Sequence, residues 1–481
     1  MAGIGTYDVD GWTDIVPTTG RMIYVSSSIG SDSYDGFSGT VDGGGVGPKA
    51  TVNAGRLLLR SGYPDWLHLK CGDTWTNEIL YPGYSGLSVT EPLVITSYGA
   101  GARPVLIGEG MLVNTTSPAV WQYAYIGNIE IRGTRRDAPY NTSGAGLLIL
   151  ENAFHITIEG MLITGCYDGV SWQRSDGTTG DDGYIEIRRN IIHDNTHQGV
   201  LMVGNVTTVT FEENIITDNG FDVDRVSPSI LTHNLYTKIK NYGTFRNNII
   251  ANASNFGLKM SADDPNGIQN ITVENNLFLN SPMSMDHSAG ASGDTDVTFT
   301  HNVGSITDNV FISFDRMIGQ DIAFYAMNTN AITFDGNIWA HKSTTVNAMF
   351  TLDNSEHHEN LTVQNSIVYD WAVDSEPEDY FQPSSAFVDN YVLTNNQIDQ
   401  SAGSYTDPER TVGTYYQSIG GTNSSSAFLT AARSMTRSTW SAAYMADAVN
   451  DYIRSGFDVG TPTYYAFSAG GLTYIFQTGG A

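Results

Sequence analysis

The chain reads as an all-β fold, a solenoid of short parallel strands, and three observations point there. One pattern recurs through the middle of the 481 residues: an alternating β-branched strand, a polar pair usually containing Asn, two apolar residues, a polar turn and a second short strand. Its aligned asparagines, Asn190, Asn214, Asn248, Asn276, Asn302, Asn337 and Asn365, stand 24, 34, 28, 26, 35 and 28 residues apart, too close for a full helix between every pair of strands. The composition agrees. Only 15% of residues are charged, against about 25% in ordinary domains, and the balance is taken up by Gly, Asn, Ser and Thr. Disorder is excluded by 26 Tyr, 19 Phe and 8 Trp, and a collagen-like chain by 51 Gly without a three-residue period and only 15 Pro.

The copies read YIEIRRNII, VTFEENIIT, GTFRNNIIA, ITVENNLFL, VTFTHNVGS, ITFDGNIWA and LTVQNSIVY, with ITIEGMLIT placing Gly160 where the others are aligned on Asn. Within each, alternation sends one set of side chains inward, as Ile271 and Val273, and the other outward, as Thr272 and Glu274. Coils stacked about 4.8 Å apart bury the inward set against its copies and pair the backbone between coils. Asn suits the corner because it tolerates left-handed backbone and can bond the next Asn in the stack. These repeats resemble those of right-handed parallel β-helix proteins, the pectin-lyase-like superfamily of polysaccharide lyases, hydrolases and phage tailspikes, over residues 20 to 400. The resemblance implies a single-stranded right-handed parallel β-helix with a small N-terminal cap and a partly helical C-terminal appendage. It does not fix a reaction, because the fold hosts catalysts and inert fibres alike.

In chain order, YVSSSIGSDSYDGFSG resembles a first strand and turn-rich loop, and residues 52–60 an amphipathic helix that caps the open core. The first rungs are WLHLKCGDTW and LVITSYGAG. Residues 1–65 are thus expected to form the N-terminal segment and cap, 66–400 the β-helix and 401–481 the appendage. There Phe428, Ala432 and Met435, then Ala446, Val449 and Tyr452, follow helical spacing, so a helical tail should close the far end.

Against 23 Lys and Arg stand 51 Asp and Glu, a net charge of −28, which repels nucleic-acid phosphates and anionic membranes. It also repels an anionic polysaccharide, so such a substrate needs a local cationic patch or a divalent ion. No stretch approaches eighteen apolar residues and the first residues lack a basic end followed by an apolar run. The expectation is an extracellular protein, secreted with its signal removed or carried on a virus particle. Cys71 and Cys166 are too few for a disulfide framework and read as small buried residues. No phosphate loop, dinucleotide fingerprint or nucleophile elbow is present.

Candidate chemistry falls on the second strand of each coil, where the long insertions flank it. With Leu201, Leu235 and Leu258 inward, Trp172, Met202, Tyr236 and Lys259 point outward, with Met285 a further candidate; two residues on lie Arg174, Gly204, Lys238, Ser261 and His287. A cationic, phenolic face suits β-elimination on a uronic-acid polysaccharide, which needs a cation for the carboxylate, a base for the adjacent C–H and an acid for the leaving oxygen. Lys259 or Arg174 neutralises, His233 or Lys238 takes the proton and Tyr236 returns one; Trp172, Arg174, His287, Asp286 and Asp315 are substrate-binding candidates. Against this stands the plain reading in which the lysines are solvated, Tyr236 is a stacking platform and His233 bonds a turn.

Two other readings stay open. Asp286 and Asp315 are the carboxylate pair that glycoside hydrolysis would use, at the roughly 6.5–9.5 Å of an inverting enzyme if diagonally placed. Alternatively the chain is a non-catalytic virion or cell-surface component that binds glycan, a homotrimer if virion-borne. No motif demands a cofactor. Ca²⁺ is the one candidate, at Asp263 and Asp264, with GSDSYDG (Asp32, Asp35) and DGTTGDDG (Asp176, Asp181, Asp182) as similar acidic turns, none matching the twelve-residue calcium loop. His193, His197, His357 and His358 lack metal-helix spacing and read as surface residues.

Overall fold

Each repeat folds as three short strands, one more than the pattern suggested. A coil runs through Leu258–Ala262, Gln269–Glu274 and Leu277–Leu279 before the next begins at Met283–His287, so the apolar pair between the two expected strands is itself a strand. The computed structural model describes residues 6–113, 120–134, 144–150, 152–173, 182–221, 232–262, 268–287, 295–300, 302–306, 324–326, 329–346, 350–352, 358–373, 388–390, 392–399, 410–456, 463–469 and 472–478. Successive coils pair in parallel, and the fold is a parallel β-helix. It divides into two units, Met1–Asn214 with Phe221–Asp224, and Ile215–Gly220 with Arg225–Ala481.

In the first unit the parallel register stacks Ile23, Leu67, Ile95, Ile126, Ile158, Ile187 and Phe211 into one column. All seven are fully buried. Burying one such side chain is worth about 1.5–3 kcal/mol, so the repeat spacing is enforced by a continuous apolar column. The second unit repeats the register: Ile271, Val297, Ile332 and Leu361 share one position, and Val273, Phe299, Phe334 and Val363 the position two residues on.

The corner asparagine divides into two positions with separate jobs. The buried one forms a ladder: Asn248 N–H and Nδ2 donate to Asn276 Oδ1, Asn276 to Asn302 and Asn302 to Asn337, all at 2.9–3.0 Å. Asn337 N–H then donates to Ser366 Oγ at 3.2 Å, and Ser366 N–H to Asn396 Oδ1 at 3.0 Å. In the first unit Met161 N–H donates to Asn190 Oδ1, and Asn190 to Asn214. The left-handed backbone belongs to the residue before, at Gly160, Arg189 and Glu213 in the first unit and Asn247, Asn275, Gly336 and Asn365 in the second. Asn365 and Gly160 are therefore corner residues, one place before the ladder in which the sequence alignment had set them; Ser366 and Met161 occupy the ladder.

The N-terminal helix is shorter than expected, α1 at Val52–Arg56. Thr51 caps it, and Gly55 is obligatory: a Cβ there would stand 2.3 Å from Val25 Cγ2, so the helix lies directly on the first strands. Asp32 accepts from Ala50 N–H, Thr51 N–H and Thr51 Oγ1, each at 2.9 Å, fastening the turn-rich loop to this cap.

The C-terminal region holds α2 at Val412–Ser418, α3 at Ser425–Arg433 and α4 at Ala446–Arg454. Phe428, Ala432, Met435, Ala446 and Val449 are buried as their spacing predicted; Ile453 rather than Tyr452 completes the inner face of α4. The helices do not close the end of the coil. They pack on the flank of the second unit, where Arg433 pairs with Asp218 at 2.8 Å, Asn450 Nδ2 donates to Asn275 O at 3.0 Å and Asn275 Nδ2 donates to Asp447 at 2.8 Å. The row of left-handed corners offers side-chain amides that a polar-edged helix can bond. The terminal strand Asn396–Asp399 instead pairs with the strand Leu472–Thr478 of an antiparallel hairpin completed by Thr463–Ala469. Cys71 and Cys166 are buried and form no disulfide.

Candidate functional site

The outward row expected in the second unit exists over two coils. Leu235, Leu258 and Met283 stack inward, which leaves Tyr236 and Lys259 at the next, outward register position. Lys259 Nζ lies 5.5 Å from the centroid of the Tyr236 ring, a cation–π contact on half-buried side chains. Lys238 follows two residues beyond Tyr236 on the same strand, half-buried and flanked by buried Thr237 and Ile239. Asn234 pins the start of this strand: its Oδ1 accepts from Asn219 N–H and Nδ2, and its own Nδ2 donates to Ala251 O at 2.8 Å.

His233 is not at the surface. Its side chain is 1% exposed, Nδ1 accepts from Phe256 N–H at 3.3 Å, and the ring meets Tyr236 edge-on at 5.6 Å and Phe256 at 5.7 Å. The imidazole thus meets Tyr236 from within the protein, out of reach of a polymer in solvent. The far end of the row also differs from expectation. The register sets Asp286 opposite Ser261 and His287 opposite Ala262, so Asp286, not His287, continues the position two residues beyond Lys259; Met285 is buried.

In the first unit the expected orientation is inverted. Trp172 and Met202 are paired across adjacent coils and fully buried, while Leu201 lies at the outward position. Trp172 is therefore a core residue and no sugar platform. The cause is local: in GVLMVG two apolar residues adjoin, alternation is ambiguous, and a one-residue slip exchanges the faces. Val170 settles it by stacking on Val200. Arg174, Asp263, Asp264 and Asp315 lie outside the described residues.

His193 and His197, expected as surface residues, are half-buried in this unit and each stands against a carboxylate. His197 Nδ1 stands 2.8 Å from Asp168 Oδ1, its ring stacks on Tyr167 at 4.5 Å and 10°, and Asp168 also accepts from Gln198 N–H at 3.1 Å. His193 Nδ1 stands 2.8 Å from Asp194. The signal was the period: Asp168 and His197 are 29 residues apart, one coil. His358, read as a surface residue, is fully buried.

Among the described residues no group of three side chains is placed to hold a metal ion. Asp32 and Asp35 have structural work: Asp35 accepts from Phe37 N–H at 3.1 Å and Gly47 N–H at 3.3 Å, and these backbone bonds hold its carboxyl below the usual range. No helix among the described residues is long and apolar enough to cross a membrane.

Residues 108–234 match the family model described as the right handed beta helix region. The chain carries a right-handed parallel β-helix. No curated protein matches this β-helix chain. Among solved structures, it is similar to the pectate lyase Pel9A at 13% identity, covering 84% of this chain and 86% of that one with a TM-score of 0.42. The alginate lyase from Paenibacillus sp. str. FPU-7 aligns at 14% identity over 74% of this chain and 99% of its own, TM-score 0.42. The tailspike protein of Acinetobacter baumannii phage AM24 aligns at 10% identity over 69% of this chain and 49% of its own, TM-score 0.37.

Proposed function

We propose that this β-helix binds an acidic polysaccharide outside the cell and cleaves it by β-elimination on the face that carries Tyr236, Lys238 and Lys259. The observation that carries the reading is the Lys259 ammonium held over the Tyr236 ring, with a second lysine two residues away, in a chain of net charge −28 where cations are scarce. Lys259 neutralises the uronate carboxylate, which makes the adjacent C–H acidic. Lys238, in its uncharged form, takes that proton; the double bond forms as the C–O bond to the leaving sugar breaks, and the Tyr236 hydroxyl protonates the leaving oxygen. Proton exchange between the Lys238 ammonium and the Tyr236 phenolate restores both groups. The burial of His233 favours Lys238 as the base.

The test is incubation with alginate, pectin and other acidic or sulfated glycans, following ultraviolet absorbance of the unsaturated product alongside reducing ends. Elimination raises both, hydrolysis only the second. Lys259→Ala and Tyr236→Phe are each expected to lower kcat/KM by about 10²–10⁴-fold with the thermal midpoint unchanged. Full turnover in both variants refutes the site.

A further inference from the structure

A second polar centre lies in the first unit, on strands Ala153–Glu159, Asp182–Arg188 and the end of Gln198–Glu212. The register sets Arg188 between Glu159 and Glu212, and Glu186 between Thr157 and Thr210. Carboxylate, guanidinium and carboxylate thus succeed one another from coil to coil on an outward row, a place where charges are normally solvated. Here they are not: Glu159 is fully buried, and Glu186 and Arg188 are 4% and 3% exposed. Tyr125 Oη donates to Glu159 at 3.0 Å, Thr157 Oγ1 donates to Glu186 at 3.3 Å, and Arg188 pairs with Glu159.

What covers the row is the chain's own N-terminal hairpin, whose strands Thr6–Tyr7 and Thr13–Asp14 pair antiparallel. The Tyr7 hydroxyl donates to Glu186, and the Tyr7 ring lies 4.3 Å from the Arg188 guanidinium. Gly11 O accepts from Arg188 Nη1 at 2.8 Å, and Thr13 N–H donates to both Glu159 oxygens at 3.1 and 3.3 Å. Trp12 sits 4.9 Å from the Arg189 guanidinium. Arg188 Nε makes no hydrogen bond, its nearest carboxylate oxygens standing 3.7 and 4.0 Å away, so a buried donor faces this row unused.

Burying ions in this way is unfavourable until pairing offsets it, and a hairpin needed only as a clamp would be held by apolar contacts with less desolvation. Burial also raises the Glu186 carboxyl and the Tyr7 phenol above their usual values. The hairpin instead supplies one hydroxyl, one backbone N–H, two carbonyls and two aromatic faces to carboxylates and guanidinium groups. A pyranose ring offers the same chemistry, with hydroxyl donors for Glu159 and Glu186 and oxygen acceptors for Arg188. Three carboxylates against one guanidinium exclude an acidic sugar.

We propose that Glu159, Glu186, Arg188 and Glu212 form a binding site for a neutral oligosaccharide, kept closed by the segment Tyr7–Asp14, which a ligand displaces. When the open state is a small fraction, apparent affinity falls by that fraction, so loosening the hairpin tightens binding without touching the site. The experiment compares the full-length protein with its Tyr7→Ala/Trp12→Ala variant by calorimetry, using neutral cello-, xylo- and manno-oligosaccharides as probes. Expected is at least a tenfold gain in affinity for one probe in the loosened variant, lost again on adding Arg188→Ala, together with faster hydrogen exchange over residues 7–14 of the wild type under saturating ligand. A loosened variant that keeps its thermal midpoint yet binds no neutral probe better than wild type overturns the proposal. Collapse of the coil on loosening also overturns it, by making the hairpin a structural clamp, as does a gain in affinity for acidic oligosaccharides in the loosened variant that persists with Lys259→Ala and is lost with Arg188→Ala.

Discussion

Asn276 shows how much one position in the ladder carries. Its Oδ1 accepts two bonds from Asn248, and its Nδ2 donates to Asn302 Oδ1 and to Phe245 O. Replacing it by Ala takes the acceptor from two buried Asn248 donors on one side and the donor from two buried acceptors, Asn302 Oδ1 and Phe245 O, on the other, and each buried group left unsatisfied costs about 1–3 kcal/mol. Asn276→Ala is expected to lower stability by about 2–4 kcal/mol, read as a shift of the urea midpoint at unchanged slope. Residues with left-handed backbone obey a different rule. Thr208 is β-branched yet has φ of 54°, where such side chains are strained, so Thr208→Asn should raise stability by about 0.5–1 kcal/mol in the same titration. That Asn would recur was plain from the residues. That two adjacent positions divide its two virtues was not, because either Asn of an Asn–Asn pair fits either job until the stacking register is known.

At the scale of elements, the entry to the coil depends on a carboxylate. Asp65 is fully buried, pairs with Arg60 at 2.6 Å and accepts from Arg21 N–H at 2.8 Å and Arg60 N–H at 2.9 Å. Burial pushes its carboxyl up, but the Arg60 guanidinium and the backbone donors outweigh that and hold it below 3.8. A carboxyl lowered in the folded state contributes stability that is present above its unfolded value and is lost as pH falls through the lowered one. Asp65→Asn should therefore cost about 1–3 kcal/mol at neutral pH, with the gap to wild type narrowing as the pH drops below 3.8, checked by thermal unfolding across a pH series. Strands were legible wherever polar and apolar residues alternated cleanly, as in Ile271 and Val273. Leu201–Met202 defeated the same reading, since an apolar pair has no outward member of its own. The short strand Leu277–Leu279 was missed because three residues are too few to display a period.

For the whole molecule, the net charge of −28 bears on any acidic substrate. Raising the salt from about 10 to 150 mM shortens the screening length from roughly 30 Å to 8 Å, which weakens long-range repulsion but leaves contacts at Tyr236 and Lys259 largely intact. KM for an anionic glycan should fall severalfold over that range with kcat nearly constant; a rising KM would mean that attraction, not repulsion, governs the approach. Coil period, strand alternation where it is clean, the buried cysteines and the inner face of α3 follow from residue order, because each depends on residues close in sequence. Partnerships between distant residues do not. Tyr7 meets Glu186 across 179 residues and Thr13 meets Glu159 across 146, and no local pattern marks either. The inward turn of Trp172, the burial of His233 and the hairpin over Arg188 were set by how coils register and what folds back on them, which is a matter of packing between segments rather than of spacing along the chain.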